Sequence, residues 1–236
     1  MNNYVLSDRL QAIADFVLPD ESIADIGTDH GFVPIVLLES GRVPFAVLSD
    51  INEGPVEKAK SHLSEHSIPE SRYALRHGDG LLTVEPFEVS TVIIAGMGGE
   101  NIIDILAFDI AKTKSFKRLI LQPRKRPDLL RKWLYENGFS IIYEKLVKEQ
   151  EKICEIIVAE PAVSPVRVPC DINEFYLPEK MRADVLFDEF LSEYIRKLHV
   201  VLDNMDNSES AAEIRRPWEE RLRYAETLKE KGKTIC

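Results

Sequence analysis

Four short segments of the chain are rich in glycines, in carboxylate and other polar side chains, or in both. They are residues 25–31, 49–52, 77–80 and 95–99. In the first segment an apolar run ends at Asp25, Gly27 follows, and polar residues lead into a helix-compatible stretch. This order is typical of a strand that turns into a helix, where doubly wound α/β proteins hold nucleotide-like ligands. One such turn is a weak signal, but four of them at strand-like intervals indicate a common ligand site.

The first turn departs from the dinucleotide fingerprint G-x-G-x-x-G. Gly27 is followed by Thr28, Asp29 and His30 before Gly31. A carboxylate at this point would repel a diphosphate in a low-dielectric cleft. The turn therefore favours a ligand with a positive centre and no phosphate, such as S-adenosylmethionine. The alternative is a strand–turn–helix corner whose polar residues only cap the helix.

Two further acids follow the second and third apolar runs. Asp50 closes the second run, where a carboxylate can accept hydrogen bonds from both ribose hydroxyls. Asp79 lies between Gly78 and Gly80, and it could accept from an adenine amino group while the glycines let the loop approach the base. The alternatives are a helix N-cap or loop acid at Asp50 and an ordinary turn around Asp79.

The fourth segment, Ala95-Gly96-Met97-Gly98-Gly99, has three glycines in four positions. We expect a loop that leaves room for a flat substrate beside a sulfonium, with Met97 able to pack on a ring. The alternative is a close strand–helix junction.

The elements that must position these segments alternate along the chain. Residues 6–17 have helical spacing, and Ser7 is suited to cap that helix. Strands are predicted over residues 23–26, 45–49, 73–76, 91–95 and 118–122, and helices over 32–40, 54–65, 100–108 and 127–137. This alternation predicts βαβ units and a mostly parallel sheet. Two more apolar runs, 139–144 and 153–158, have no helix between them, so they are predicted to pair antiparallel.

The pattern changes after closely spaced prolines in residues 160–166. Apolar residues between Phe187 and Met205 then recur in steps of four and three, as in a coiled-coil seam. A turn is predicted over residues 204–209, followed by a returning helix that Pro217 should kink or restart. We predict two domains, residues 1–160 and 161–236, of which the second is an antiparallel helical hairpin packed beside the first.

Composition and charge narrow the class of protein only slightly. The chain has 236 residues, a formal net charge of −10 and 44% hydrophobic residues. No apolar run approaches the roughly 18 residues of a membrane span, the N-terminus lacks a signal-peptide pattern, and the three cysteines have no metal-ligand spacing. We expect a cytoplasmic, metal-free monomer, whose negative charge argues against coating nucleic acid but not against a local basic patch.

A series of motifs resembles the bacterial tRNA (adenine-22-N1)-methyltransferase family. They are Leu6-Ser7-Asp8-Arg9-Leu10, Asp25-Ile26-Gly27-Thr28-Asp29-His30-Gly31 with Pro34, Asn52-Glu53-Gly54-Pro55, Gly78-Asp79-Gly80-Leu81, Ile94-Ala95-Gly96-Met97-Gly98-Gly99, Leu119-Ile120-Leu121-Gln122-Pro123 and Glu155-Ile156-Ile157. The resemblance spans residues 1 to about 160. It implies an α/β, Rossmann-like class I methyltransferase fold with a seven-stranded sheet and an antiparallel last strand, followed by a small coiled-coil-like helical domain. It also implies S-adenosylmethionine as cofactor and N1 of adenine 22 in tRNA as methyl acceptor.

Position by position, the resemblance assigns site residues. Asp29 and His30 would lie near the methyl group as the catalytic pair. The predicted cofactor-binding residues are Asp25, Gly27, Thr28, Asp50, Ile51, Asn52, Asp79, Gly80, Ala95, Gly96 and Met97. The chain departs from the family at Cys154, where we expect Tyr, and at Arg124, where relatives often carry Asn.

Transfer to N1 needs no general base, because N1 of neutral adenine has a free lone pair. The protein must instead align the reacting atoms and stabilise the charge that arrives on the purine, and Asp29 is the candidate for that electrostatic role. Its alternative role is to order the cofactor loop. The predicted RNA contacts are Arg9, Arg124, Lys125, Arg126 and Arg131, with Arg215 and Arg216 as a second basic cluster.

Two other functions remain open at this point. A methyltransferase could act on another RNA or on a small molecule, and methyl transfer to tRNA measured against a metabolite pool separates these substrates. A methyltransferase-like RNA-binding scaffold could have lost its chemistry. Calorimetry with S-adenosylmethionine tests the scaffold, since it would bind no cofactor.

Overall fold

A computed structural model describes residues 5–206, 208 and 211–233 of the chain. They form two compact units, of which the first ends at Val168 and the second begins at Pro169. The domain boundary that we predicted after residue 160 lies at the end of the last strand, which runs to Pro161. The segment that follows this strand, up to Val168, belongs to the first unit.

The first unit is built on a seven-stranded sheet with the order β3-β2-β1-β4-β5-β7-β6. The strands are β1 (Ile23–Ile26), β2 (Ala46–Asp50), β3 (Tyr73–His77), β4 (Thr91–Gly98), β5 (Arg118–Lys125), β6 (Phe139–Glu149) and β7 (Lys152–Pro161). The first five strands are parallel to one another. The strand order reverses between β1 and β4, which is where open α/β sheets bind ligands.

Helices join the parallel strands and cover both faces of the sheet. They are α1 (Asp8–Asp15), α2 (Phe32–Glu39), α3 (Glu53–Glu65), α4 (Gly99–Ala107), α5 (Ile110–Thr113) and α6 (Pro127–Glu136). Ser7 caps α1 as predicted, because its side chain accepts a hydrogen bond from the Leu10 amide. Alternate residues of β4 belong to the two core clusters, with Ile93 on one face and Val92 and Ile94 on the other.

The last two strands confirm the predicted antiparallel ending. β7 pairs antiparallel with β6 over most of its length, and it also pairs antiparallel with β5. It therefore lies between β5 and β6 in the sheet. A short charged turn is enough to connect β6 to β7, since antiparallel neighbours need no crossover helix.

The glycine-rich segment after the fourth apolar run is not the loop that we predicted. β4 continues through Ala95 to Gly98, and α4 begins at Gly99. The pairing of β4 with β5 shifts register around Met97, as in a β-bulge. The glycines thus allow an irregular strand end that leads directly into a helix.

The second unit contains α7 (Phe187–Asp203) and α8 (Ala212–Lys233), which contact each other as a helical hairpin. α8 runs through Pro217 without the predicted restart. The predicted turn over residues 204–209 includes residues 207 and 209, which lie outside the described residues. Among the helices described in both units, none is long and apolar enough to span a membrane.

Candidate functional site

Two clefts lie along the carboxyl edge of the sheet. The first cleft has a volume of about 350 Å³ and the second about 270 Å³. The first is lined by Arg9, Leu10, Ile13, Asp25, Gly27, Thr28, Asp29, His30, Phe32, Val33, Asp50, Ile93, Ala95, Gly96, Met97 and Arg124. The second is lined by Ile26, Gly27, Asp50, Ile51, Gly78, Asp79, Gly80, Met97, Asn101, Asp104 and Ile105. Gly27, Asp50 and Met97 belong to both linings, so the two clefts adjoin.

Asp25 is a buried carboxylate in the wall of the first cleft. It lies in β1, where only 8% of the residue is exposed, and the Thr28 hydroxyl donates a 2.7 Å hydrogen bond to its Oδ2. Burial raises the pKa of Asp25 to about 6; the Thr28 hydrogen bond opposes this shift, and repulsion from Asp50 adds to it. No cationic side chain pairs with Asp25 among the described residues. The first cleft therefore holds a desolvated negative group that a bound cation would stabilise.

Gly27 and Met97 meet on the ridge between the clefts. Gly27 has a φ of +76°, and a Cβ added there would overlap the Met97 Cε. Glycine is therefore favoured at this position for two reasons: the backbone is left-handed, and the Met97 thioether occupies the space that a side chain would need. A ligand that extends from one cleft to the other has to pass these two residues.

Asp50, the last residue of β2, and Asp79, two residues after β3, both line the second cleft. Asp50 Oδ1 accepts hydrogen bonds from the Asn52 backbone amide at 2.8 Å and from the Asn52 side chain at 3.2 Å. Its Oδ2 accepts none from the described residues. Asn52 lines neither cleft and holds Asp50 through these two hydrogen bonds, so its own contact with a ligand stays a prediction.

Three residues of α4 that line the second cleft were missed in the sequence. Asn101, Asp104 and Ile105 project from the first turns of α4. Their spacing of three and four residues places them on one helix face. Since α4 starts directly after the glycine-rich strand end, the polar positions of its first two turns were the signal that could have identified them.

The turn between β1 and α2 presents the predicted catalytic pair to the first cleft. Asp29 has a φ of +44°, and 71% of its side chain is exposed. The His30 side chain is 33% exposed, and its Nε2 lies 3.6 Å from Asp29 Oδ1. Asp29 is thus an accessible carboxylate held by a constrained backbone, in contrast to the buried Asp25.

Arg9 reaches the first cleft from α1, but its guanidinium is already engaged. Nε donates to Glu149 at 2.9 Å, and Nη1 donates to Gln122 Oε1 at 3.2 Å. The same Gln122 oxygen accepts from the Gly96 amide at 3.1 Å. Gln122 thus joins α1 to the glycine-rich end of β4, a role that the sequence did not indicate. RNA contact by Arg9 stays a prediction, since this residue also lines the first cleft.

The basic run at the end of β5 is exposed and held in place. Arg124 lines the first cleft, and its Nη2 lies 3.5 Å from the point where a Gly96 Cβ would be. Lys125 and Arg126 are exposed as well, and Arg126 pairs with Asp128. A Cβ at Gly99 would overlap the carbonyl oxygens of Lys125 and Arg126, so this glycine allows the basic run to pack on the start of α4.

The RNA contact predicted for Arg131 is wrong. Its side chain is only 1% exposed, and it donates to Glu144 at 2.6 Å and to Glu155 at 2.5 Å. Burial alone would lower the pKa of Arg131, but the two carboxylates outweigh it and raise this pKa. Arg131 therefore ties α6 to β6 and β7, and it is closed to RNA.

Sequence comparison identifies what the chain resembles. A family described as "Methyltransferase domain" matches residues 6–157. A Bacillus subtilis protein named tRNA (adenine(22)-N(1))-methyltransferase is 35% identical over 160 residues, which are 68% of this chain and 67% of that protein.

Solved structures resemble the chain over nearly its full length. A Streptococcus agalactiae protein of the NADB-Rossmann superfamily is 32% identical and covers 97% of this chain and 99% of its own, with a TM-score of 0.87. A proposed tRNA (m1A22) methyltransferase from Streptococcus pneumoniae, in complex with S-adenosyl-L-methionine, is 29% identical. It covers 95% of this chain and 100% of its own, with a TM-score of 0.83.

Proposed function

The chain belongs to the tRNA (adenine-22-N1)-methyltransferase family, and we propose that it transfers the methyl group of S-adenosylmethionine to N1 of adenine 22 in tRNA. The observation that carries this proposal is the buried carboxylate of Asp25 in the wall of the first cleft, which has no cationic partner among the described residues. Such a group is matched by a cationic cofactor and mismatched by a dinucleotide.

The two clefts fit the two arms of this cofactor. The second cleft offers Asp79 and Asp104 as acceptors for an adenine amino group, and Asp50 lies between the clefts, where a ribose would be. The first cleft would take the methionyl arm, with Asp25 opposite its positive charges. Because Gly27 has no side chain, the cofactor could pass close to the end of β1.

The chemistry requires alignment more than proton transfer. S-adenosylmethionine supplies the methyl group and leaves as a neutral thioether. The N1 lone pair forms the new bond to the methyl carbon while the carbon–sulfur bond breaks, so no proton has to leave and the purine becomes a cation. We assign to Asp29 the stabilisation of that cation, because its carboxylate is exposed in the first cleft rather than spent on a buried pair.

The RNA must approach the first cleft, because the methyl donor and Asp29 are proposed to meet the target base there. N1 is on the Watson–Crick edge, so this base has to be unpaired or extruded before it can react. Arg124 is suited to the phosphates next to the target, and Lys125 and Arg126 continue the positive surface outward. We further propose that the helical domain after residue 160 contacts tRNA. Arg216 is exposed there, whereas Arg215 donates to carbonyl oxygens of its own hairpin. Since tRNA is the substrate, we expect the enzyme to act in the cytoplasm.

The test is methyl transfer from labelled cofactor to an unmodified tRNA transcript, followed by mapping of the modified nucleotide. We expect one N1-methyladenine at position 22, and no incorporation into a matched transcript that carries guanine there. Methylation at another position, or of a small-molecule pool alone, would replace the proposed substrate. Absence of cofactor binding at millimolar concentration in calorimetry would instead favour a scaffold without chemistry.

A further inference from the structure

Three aromatic side chains form a compact group at one wall of the first cleft. We call the group of His30, Phe32 and His62 the ring stack. The ring centroids of His30 and Phe32 are 4.9 Å apart, and their planes differ by 6°. His62 lies 5.6 Å from His30 and 5.4 Å from Phe32, with interplanar angles of 19° and 18°. The three rings are therefore nearly parallel, although they come from two different helices and the turn before α2.

The orientation of His30 is set by stacking and not by hydrogen bonds. Its Nδ1 is buried and has no hydrogen-bond partner among the described residues. Its Nε2 lies 3.6 Å from Asp29 Oδ1, beyond a normal hydrogen bond. A histidine that moves protons is usually held through one ring nitrogen by a second polar group. His30 lacks that support, so it offers a flat ring surface in preference to a basic nitrogen.

His62 packs against the rings of His30 and Phe32 from α3. His30 and Phe32 line the first cleft, whereas His62 is on α3 and is absent from the described linings of both clefts. The His62 Nδ1 is 2.9 Å from the backbone oxygen of His30, and as the protonated nitrogen it donates to that oxygen. One residue therefore fixes both the His30 ring, by stacking, and the His30 backbone, by a hydrogen bond.

We propose that the ring stack is the surface on which the acceptor purine lies during methyl transfer, and that His62 is a positioning residue for it. The proposal rests on the proposed function and adds the subsite for the unpaired base. An extruded base loses its stacking in RNA, and an aromatic surface returns about 1–3 kcal/mol per base. The N1 lone pair lies in the plane of the purine. A surface that fixes this plane therefore also directs the lone pair at the methyl carbon.

Substitutions at His62 separate stacking from hydrogen bonding. We expect His62→Ala to lower kcat/KM for tRNA by roughly 10- to 100-fold, the equivalent of the stacking energy, while the Kd for S-adenosylmethionine stays unchanged. His62→Phe keeps a ring and should recover most of the loss, whereas His62→Asn keeps a donor and should recover little. His66→Ala, one turn further along and paired with Glu39, is the matched control and should behave as wild type.

Two results of this series would overturn the proposal. Recovery by His62→Asn but not by His62→Phe would show that the hydrogen bond alone matters. An equal loss of cofactor affinity and of kcat/KM in His62→Ala would show that the ring stack supports the cofactor or the fold instead of the base.

A binding measurement distinguishes failure of the ring stack from failure of the proposed function. Adenosine monophosphate is added to protein saturated with S-adenosylhomocysteine, and NMR records the upfield ring-current shifts of its base protons. We expect these shifts with wild type and His62→Phe, and smaller ones with His62→Ala. Their presence would support the ring stack even if tRNA were not methylated. Their absence from wild type, or equal shifts in wild type and His62→Ala, would overturn it whatever the result with tRNA.

Discussion

Asp25 and Arg131 are both buried ionisable residues of the first unit, but their surroundings differ. Arg131 is enclosed by Glu144 and Glu155, each within hydrogen-bond distance. Asp25 has the Thr28 hydroxyl as its hydrogen-bond partner and no cation beside it among the described residues. The pKa of Arg131 is raised, which keeps it charged, whereas burial raises the pKa of Asp25 to about 6, toward its neutral form.

This difference distinguishes a buried charge that stabilises the fold from a buried charge that is available to bind a ligand. A buried charge whose partners are supplied by the chain stabilises the arrangement of the elements that carry them. A buried charge without such a partner costs folding free energy and is available to a ligand of opposite charge. Arg131 accordingly joins α6 to the β6–β7 hairpin, and Asp25 lies in the wall of the first cleft, where the methionyl arm of the cofactor is proposed to bind.

The largest expected effect is the loss of the Arg131 pairs. Arg131→Met leaves two carboxylates in a buried site without a cation, so we expect the free energy of unfolding to fall by about 3–5 kcal/mol. Denaturant titration followed by Trp133 fluorescence measures it in a Trp218→Phe background, since the chain has two tryptophans. Below the unfolding transition, the Kd for S-adenosylmethionine should stay unchanged.

The triple variant Arg131→Met, Glu144→Leu, Glu155→Leu is the control for this assignment. It removes all three charges and keeps apolar volume, so most of the lost stability should return. A triple variant as unstable as Arg131→Met would mean that the packing of the long side chains, and not unpaired charge, dominates at this site.

Asp25→Asn should act in the opposite direction on stability. At pH 8 the Asp25 carboxylate is charged and buried, so its removal should stabilise the cofactor-free protein by on the order of 1–3 kcal/mol. The same change removes the partner of the cationic cofactor, so the Kd should rise by roughly 10- to 100-fold. Denaturation and calorimetry at one pH measure both quantities. A variant that is less stable than wild type in the absence of cofactor would refute the distinction between the two residues.

The sheet was largely predictable because its parallel strands are buried on both faces. Such strands are short continuous apolar runs, and the prediction for residues 23–26 matches β1 residue for residue. The errors occur where packing overrides local pattern. Three glycines between Ala95 and Gly99 indicated a loop, but pairing with β5 keeps this segment in the sheet.

The location of the candidate site was predictable where it depends on the carboxyl end of a strand, as at Asp25, Asp50 and Asp79. It was not predictable where function depends on a partner distant in sequence. Arg131 resembled a surface residue next to Lys132, and only the structure brings it to Glu144 and Glu155. The ring stack was hidden for the same reason, since His62 is 32 residues from the His30 carbonyl that it holds.

A change of pH should reveal the Asp25 carboxylate in the wild-type protein. Its pKa is about 6 in the folded state, against an ordinary value of 3.8, so the folded state keeps a proton that the unfolded chain releases. This contribution to stability is present below pH 4 and is lost as pH rises through 6, a difference of about 3 kcal/mol. Cofactor affinity should change in the reverse sense and weaken as pH falls below 6. In Asp25→Asn, the free energy of unfolding and the cofactor affinity should both depend less on pH. Subtracting the variant's values from those of wild type cancels the contributions of other titrating groups.

The smallest effect concerns the one hydrogen bond that the chain does give to Asp25. Thr28→Val has nearly the same shape but cannot donate to Oδ2, and this hydrogen bond lowers the pKa of Asp25. Its loss should move the pH midpoint of cofactor binding upward by less than one unit, which corresponds to about 1 kcal/mol. Calorimetry across pH 5–8 measures the midpoint, and Thr28→Ser, which keeps the hydroxyl, should remain at the wild-type value. An unmoved midpoint in Thr28→Val would mean that Thr28 serves only to shape the turn, and that desolvation alone sets the charge of Asp25.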